Sequence, residues 1–219
     1  MEVVIQQYYL KKQTNLEQNY KIAQHCVIEN NKVFLNGVEK FSSTNEQFPD
    51  FIKAAYKNFN SNYPKFFKMD NLSKLSFLAA DLILKEIDLN EEDNDIAVVF
   101  ANKSASLDTD VKYQSSIANK EEYFPSPAVF VYTLPNICVG EISIKHHLKS
   151  ENAFFVFDTF NAEFMYNYAT HLLNSNKTNK VLCGWVEFFE ENYKAVVYLV
   201  QNSGTLEHNI KTINTIYNK

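Results

Sequence analysis

The side chains able to do chemistry in this chain of 219 residues are few and scattered. Three cysteines stand in apolar runs, HCV at Cys26, ICV at Cys138 and LCG at Cys183. Their spacing is not that of a metal site, and such runs make buried, inert thiols. His146 and His147 are adjacent, so on a helix they point to different sides and do not share a metal. A place near a helix C-terminus suits them both. Ser104, Ser106, Asp108 and Asp110 lack the glycine of a calcium loop, and turn or cap chemistry accounts for them. Thr159 could serve as a nucleophile only with a base beside it. His171 lies about three helical turns further on, at about 1.5 Å per residue too far to reach. Thr159 or Asn161 reads better as a helix N-cap. Glu187, Glu190 and Glu191 read as a solvated surface. Trp185 reads as core, with an interface role left open.

The elements that would position these residues centre on residues 123–164. Pro125 and Pro127 predict an extended approach. Thr133 is the expected N-cap of the next helix, with Pro135 in its first turn, where a missing N–H costs little. Ile137, Val139, Ile142, Ile144 and Leu148 make that helix apolar on much of its surface, which predicts burial. Gly140 would admit a close neighbour. The run 153–157, bracketed by Asn152 and Asp158, predicts a fully buried strand. A sharp turn, Asp158-Thr159-Phe160-Asn161, then leads into a helix over 162–173.

Around this centre the pattern alternates strands and helices, which predicts α/β with a mixed sheet. A first strand is expected at 2–9 and a hairpin within 21–41, turning at Glu29-Asn30-Asn31. A helix runs from Pro49 to about Phe59. The strongest helix starts at an Asp70 or Asn71 cap and carries Leu72, Leu75, Leu78, Leu82 and Ile83, with Phe77 and Leu84 widening its apolar face. Residues 97–101 read as a buried strand and 103–110 as a polar loop. Two strands, 181–186 and 195–200, join through a turn at 190–192. Gly204 precedes a last helix over 205–217.

Composition sets the bounds. A hydrophobic fraction of 46% is ample for one core, and the whole of 1–219 is expected to be a single domain. A net charge of −5 with no arginine argues against a general nucleic-acid surface or a bidentate phosphate clamp. No apolar run reaches the length of a membrane span, and no signal segment begins the chain, so a reducing cytoplasm with free thiols is expected.

YTLPNICVGEISIKHHL followed by a short apolar strand resembles the thiolase-fold β-ketoacyl synthases. YPKFFKMDNLSKLSFLAADLIL at 63–84, DIAVVFANKSASLDTD at 95–110 and KVLCGWVEFF at 180–189 agree in order, so the resemblance covers most of the chain. It implies a half-sized thiolase-like unit, a mixed sheet covered by helices including a buried central helix. The flavour is that of short synthase-like partners of aryl-polyene and flexirubin pathways, related in role to chain-length factors. Such a synthase carries a cysteine nucleophile at the strand-to-helix turn and two histidines in a second half. Here the turn is Asp158, Thr159, Phe160, Asn161, with Glu163 and Phe164 where small residues normally follow. The resemblance therefore implies a degenerate, non-catalytic subunit. Phe155, Phe157, Phe160, Phe164, Pro135 and Asn136 are then candidates for an acyl-tunnel wall or an interface. The implied partner is a full-length β-ketoacyl synthase, or a second copy, with an acyl carrier protein met transiently. Neither cofactor nor metal is implied. The alternatives are an acyltransferase or hydrolase on carrier-bound thioesters, and a standalone homodimeric carrier-binding module.

Overall fold

The computed structural model describes residues 19–44, 47–90, 92–121 and 123–219. The strand expected at 2–9 lies outside them. The apolar runs join one mixed sheet in the order β3-β2-β1-β7-β6-β4-β5, with the short β8 (Leu206–Glu207) pairing β1. β1 (Lys21–Glu29), β2 (Lys32–Leu35) and β3 (Val38–Ser42) form consecutive hairpins. Asn30 and Asn31 take positive φ at the first turn, Asn36 and Gly37 at the second, the geometry a two-residue hairpin needs. β4 (Ile96–Asn102) runs parallel to both β5 (Asn152–Val156) and β6 (Lys180–Phe189). β6 returns as β7 (Asn192–Gln201) through Glu190 and Glu191, both left-handed.

Alternation along the strands gives the sheet two apolar faces. One is covered by α1 (Phe48–Asn58), α2 (Asn71–Leu84) and α5 (Ile137–His146). The other is covered by α6 (Ala162–Asn174) and α7 (Ile210–Tyr217). α2 is buried from Leu72 to Leu84 except at Lys74, because it lies between the sheet and its neighbouring helices. Each of its leucines contributes about 2 kcal/mol by leaving water. The expected cap is present: Ser73 N donates to Asp70 Oδ1 at 2.9 Å. Thr109 Oγ1 donates to the other Asp70 oxygen at 2.8 Å, which ties α2 to the next helix.

Several local expectations are corrected. Residues 103–110 are not all loop, because α3 (Leu107–Ile117) begins inside them, with Asp108 and Asp110 in its first turn. The approach to the central helix is extended only as far as Ser126, and helical turns fill 127–133. Ser126 caps a short α4 (Pro127–Phe130), with Pro127 in its first turn, and a 3-10 turn follows over Val131–Thr133. Thr133 is no cap; its hydroxyl donates back to Phe130 O, and α5 starts after Asn136. α5 buries Cys138, Val139, Glu141, Ile142 and His146, whereas Ile144 is 61% exposed. Nothing lies within 4 Å of the place a Cβ on Gly140 would take. Close approaches occur instead at Gly184, where a Cβ would sit 2.9 Å from the Phe100 ring, and at Gly204, where it would sit 2.6 Å from Ile22 O. The last helix starts at Ile210, since Leu206 belongs to β8. No single helix among the described residues is long and apolar enough to cross a membrane.

Candidate functional site

β5 delivers the chain to the 158–161 turn at the carboxyl end of the parallel strands. Phe157 N donates to Asn102 O at 2.9 Å, holding the exit of β5 against β4. Phe164 N donates to Asn161 Oδ1 at 2.9 Å, so Asn161 is the N-cap of α6. Asp158, Thr159 and Asn161 are exposed and Phe160 is half-buried. The turn lines an open cleft of about 480 Å³, closed on its far side by Ile210 and Asn214 of α7.

The candidate phenylalanines fall into two groups. Phe155 of β5 and Phe157, one residue past its end, stack at 6.0 Å, and Phe164 meets them at 4.7 and 4.9 Å between ring centres. Tyr168, one turn further along α6, joins at 5.2 Å from Phe155. Phe160 stands apart from these, stacked on Tyr217 at 4.2 Å and edge-on to Trp185 at 5.8 Å. Pro135, half-buried, and Asn136, exposed, precede α5, and Asn136 makes no cap bond. The run 153–157 is not fully buried. Among the described residues β5 is the last strand on its side of the sheet; 153–155 are half-covered, Asn152 is exposed and Val156 is 53% exposed.

None of the cysteines stands at the turn. Cys26, Cys138 and Cys183 are free and buried. Burial pushes all three thiols up, Cys138 and Cys183 to about 12, so the thiolate that attacks a thioester is not formed near neutral pH. Incubation with an acyl carrier protein charged with an acyl chain is expected to leave all three unmodified, as peptide mass spectrometry would read. An acyl adduct on any one of them would contradict this.

Three polar clusters escaped the sequence reading. Glu141, on the covered side of α5 and 2% exposed, accepts from Tyr63 Oη at 3.0 Å and Tyr132 Oη at 3.2 Å. Lys65 Nζ lies 2.7 Å from the same carboxylate. Burial and this carboxylate push the Tyr63 phenol up to about 12. The only signal in the sequence is a lone acid inside an apolar helix. Asp81 lies 3.1 Å from His146 Nε2, both side chains buried, and accepts from Ser61 Oγ at 2.6 Å. Burial works to raise this carboxyl, but the His146 and Ser61 contacts outweigh it and hold it below the usual range. His146 and His147 do part, as adjacent helical residues must: His147 is the exposed, left-handed C-cap. Glu187 is not simply solvated, since its Oε2 accepts from Lys103 N at 2.6 Å and Ser104 N at 3.1 Å. It fixes the loop between β4 and α3. The described residues contain no group of metal-ligating side chains.

No protein-family model matches the chain, and no curated protein does. Solved structures do match, and they define a thiolase-like fold shared with ketosynthases and chain length factors. The ishigamide ketosynthase/chain length factor is similar with a TM-score of 0.60 at 15% identity, over 84% of this chain and 62% of that one. The ketosynthase ApeO in complex with its chain length factor ApeC, from Xenorhabdus doucetiae, is similar at 0.57 and 15%, over 91% of this chain and 90% of that one. AntDE:AntF, a type II polyketide synthase acyl-carrier protein in complex with its ketosynthase bound to the hexaketide, is similar at 0.60 and 12%. That match covers 84% of this chain and 62% of the other. The chain thus spans less than two thirds of the length of the first and third of these. Identities this low establish the fold alone.

Proposed function

We propose that this chain is a non-catalytic, chain-length-factor-like subunit that pairs with a full-length β-ketoacyl synthase working on acyl carrier protein. The observation that carries the reading is the turn where β5 passes into α6. In place of a nucleophile and the small residues after it stand Asp158, Thr159, Phe160 and Asn161, then Glu163 and Phe164. A condensing enzyme needs a low-pKa thiolate there. Thr159 is exposed, and Asn161 is engaged as a cap. The stacked Phe155, Phe157 and Phe164, with Phe160 beside the turn, would serve as an acyl-tunnel wall or interface. Pro135 and Asn136 would contribute from the start of α5. The similarity that runs nearly end to end along one chain of the ApeO–ApeC pair supports the partner role.

The finer reading places the pair in an aryl-polyene or flexirubin type of pathway, in the cytoplasm, with 1–219 acting as one ketosynthase-like domain. A half-covered edge strand and the exposed Ile144 on α5 favour assembly with another chain over a standalone module. The purified chain, given malonyl and acyl carrier proteins, is expected to form no condensation product above a no-enzyme control. Added to its synthase, it is expected to set the length of the product. Condensation by the chain alone would overturn the reading in favour of an acyl-transferring enzyme.

A further inference from the structure

His208 is buried in surroundings that give a charge no support. It lies between β8 and α7, is 6% exposed, and has no hydrogen-bond partner on either ring nitrogen. Its backbone N–H donates to Tyr20 O at 3.0 Å, fixing it beside the start of β1. The groups facing the ring are aromatic. Tyr166 of α6 lies 5.0 Å away and Tyr198 of β7 lies 6.4 Å away, between ring centres. Behind Tyr198, its phenol faces the Cys183 thiol of β6. The charged neighbour in sequence, Glu207, is taken by Lys21 of β1. Burial accordingly pushes the imidazole down to about 4.

The segment that carries this residue is lightly held. β8 contributes two ladder pairs, Lys21 with Glu207 and Ile22 with Leu206. α7 has 8 residues, of which Ile213 and Ile216 are buried. Yet α7 closes one side of the 158–161 turn. Tyr217 stacks on Phe160 and meets Trp185 edge-on at 6.4 Å, while Ile210 and Asn214 line the cleft. We infer that His208 is a protonation latch: neutral, it lets the β8–α7 segment seal the turn, and protonated, it releases that segment and uncovers Phe160 and Trp185. A buried imidazolium without a counter-charge is expelled to water, and a two-residue strand cannot hold it in. The direction follows from the depressed value. The released form takes its proton first, so sealing is complete above the ordinary histidine value and weakens as pH falls from there towards the sealed-state value. This holds whatever partner the chain has.

Hydrogen exchange of the whole chain, corrected for intrinsic rates, tests it alongside an NMR titration of the histidines. Between about pH 7.5 and about pH 5, exchange over 206–217 and 158–161 is expected to rise about thirtyfold, while α2 stays protected. His208→Leu, which cannot be protonated, is expected to remove that rise. A His208 midpoint at the ordinary histidine value would overturn the latch. So would the same pH response in the leucine variant, or loss of protection in α2 in step with the rest. Should His208→Leu not fold, the wild-type titration and exchange decide between these results, and His208→Gln replaces it.

Discussion

Glu141→Ala is expected to lower the unfolding free energy by about 3 kcal/mol, one of the largest losses any surface-distant residue outside the apolar core will show. The carboxylate joins three pieces that are far apart in sequence: Tyr63 and Lys65 at the 3-10 turn Pro64–Lys68, Tyr132 in the turn before α5, and α5 itself. Lys65 is half-exposed and can turn to water at little cost. Tyr132 is 6% exposed and cannot, so its hydroxyl would be left buried without an acceptor, beside a cavity. Glu141→Gln keeps the shape and can still accept from a phenol, so a loss of about 1 kcal/mol is expected. Urea denaturation of the two variants reads both values. An alanine variant within about 0.5 kcal/mol of wild type would show that the cluster is incidental.

Val156→Lys is expected to weaken binding to the synthase about 100-fold, equivalent to about 2.7 kcal/mol, while leaving the chain's own stability within about 0.5 kcal/mol. Among the described residues β5 pairs on one side only, with β4. Its outer edge has no strand partner among those residues and lies next to a valine already 53% exposed. A lysine there blocks strand addition, the device natural edge strands use against unwanted pairing, and at this exposure it costs the monomer little. Unchanged binding by the variant, measured by calorimetry, would move the contact away from β5.

Local signals made most of the elements legible in the sequence. α2 announces itself by an aspartate cap and a wide apolar face, β4 by an unbroken apolar run, and the β1–β2 turn by Asn30-Asn31. α3 was not legible because it stays near the surface, with only Thr109 buried, so its apolar residues carry no period to find. β5 departs from its expected full burial for a different reason. An apolar run of five residues looks the same in a strand covered on both faces and in an edge strand with one side open. The turn after it was legible in order and kind, including its lack of a thiol. The grouping of the phenylalanines was not, since Phe160 turns away to residues 25 and 57 positions further on, at Trp185 and Tyr217. Glu141 was hidden for the same cause: its partner Tyr63 is 78 residues away.

A copy of this fold without a nucleophile, working as the partner of a synthase, must bind that synthase. Light scattering of the wild-type chain, alone and mixed with its full-length synthase, tests it most directly. A stable one-to-one complex is expected in the mixture, and self-association when the synthase is absent, with an interface of the hydrophobic, obligate size, over about 2,000 Å². A stable monomer at micromolar concentration that ignores the synthase would contradict it.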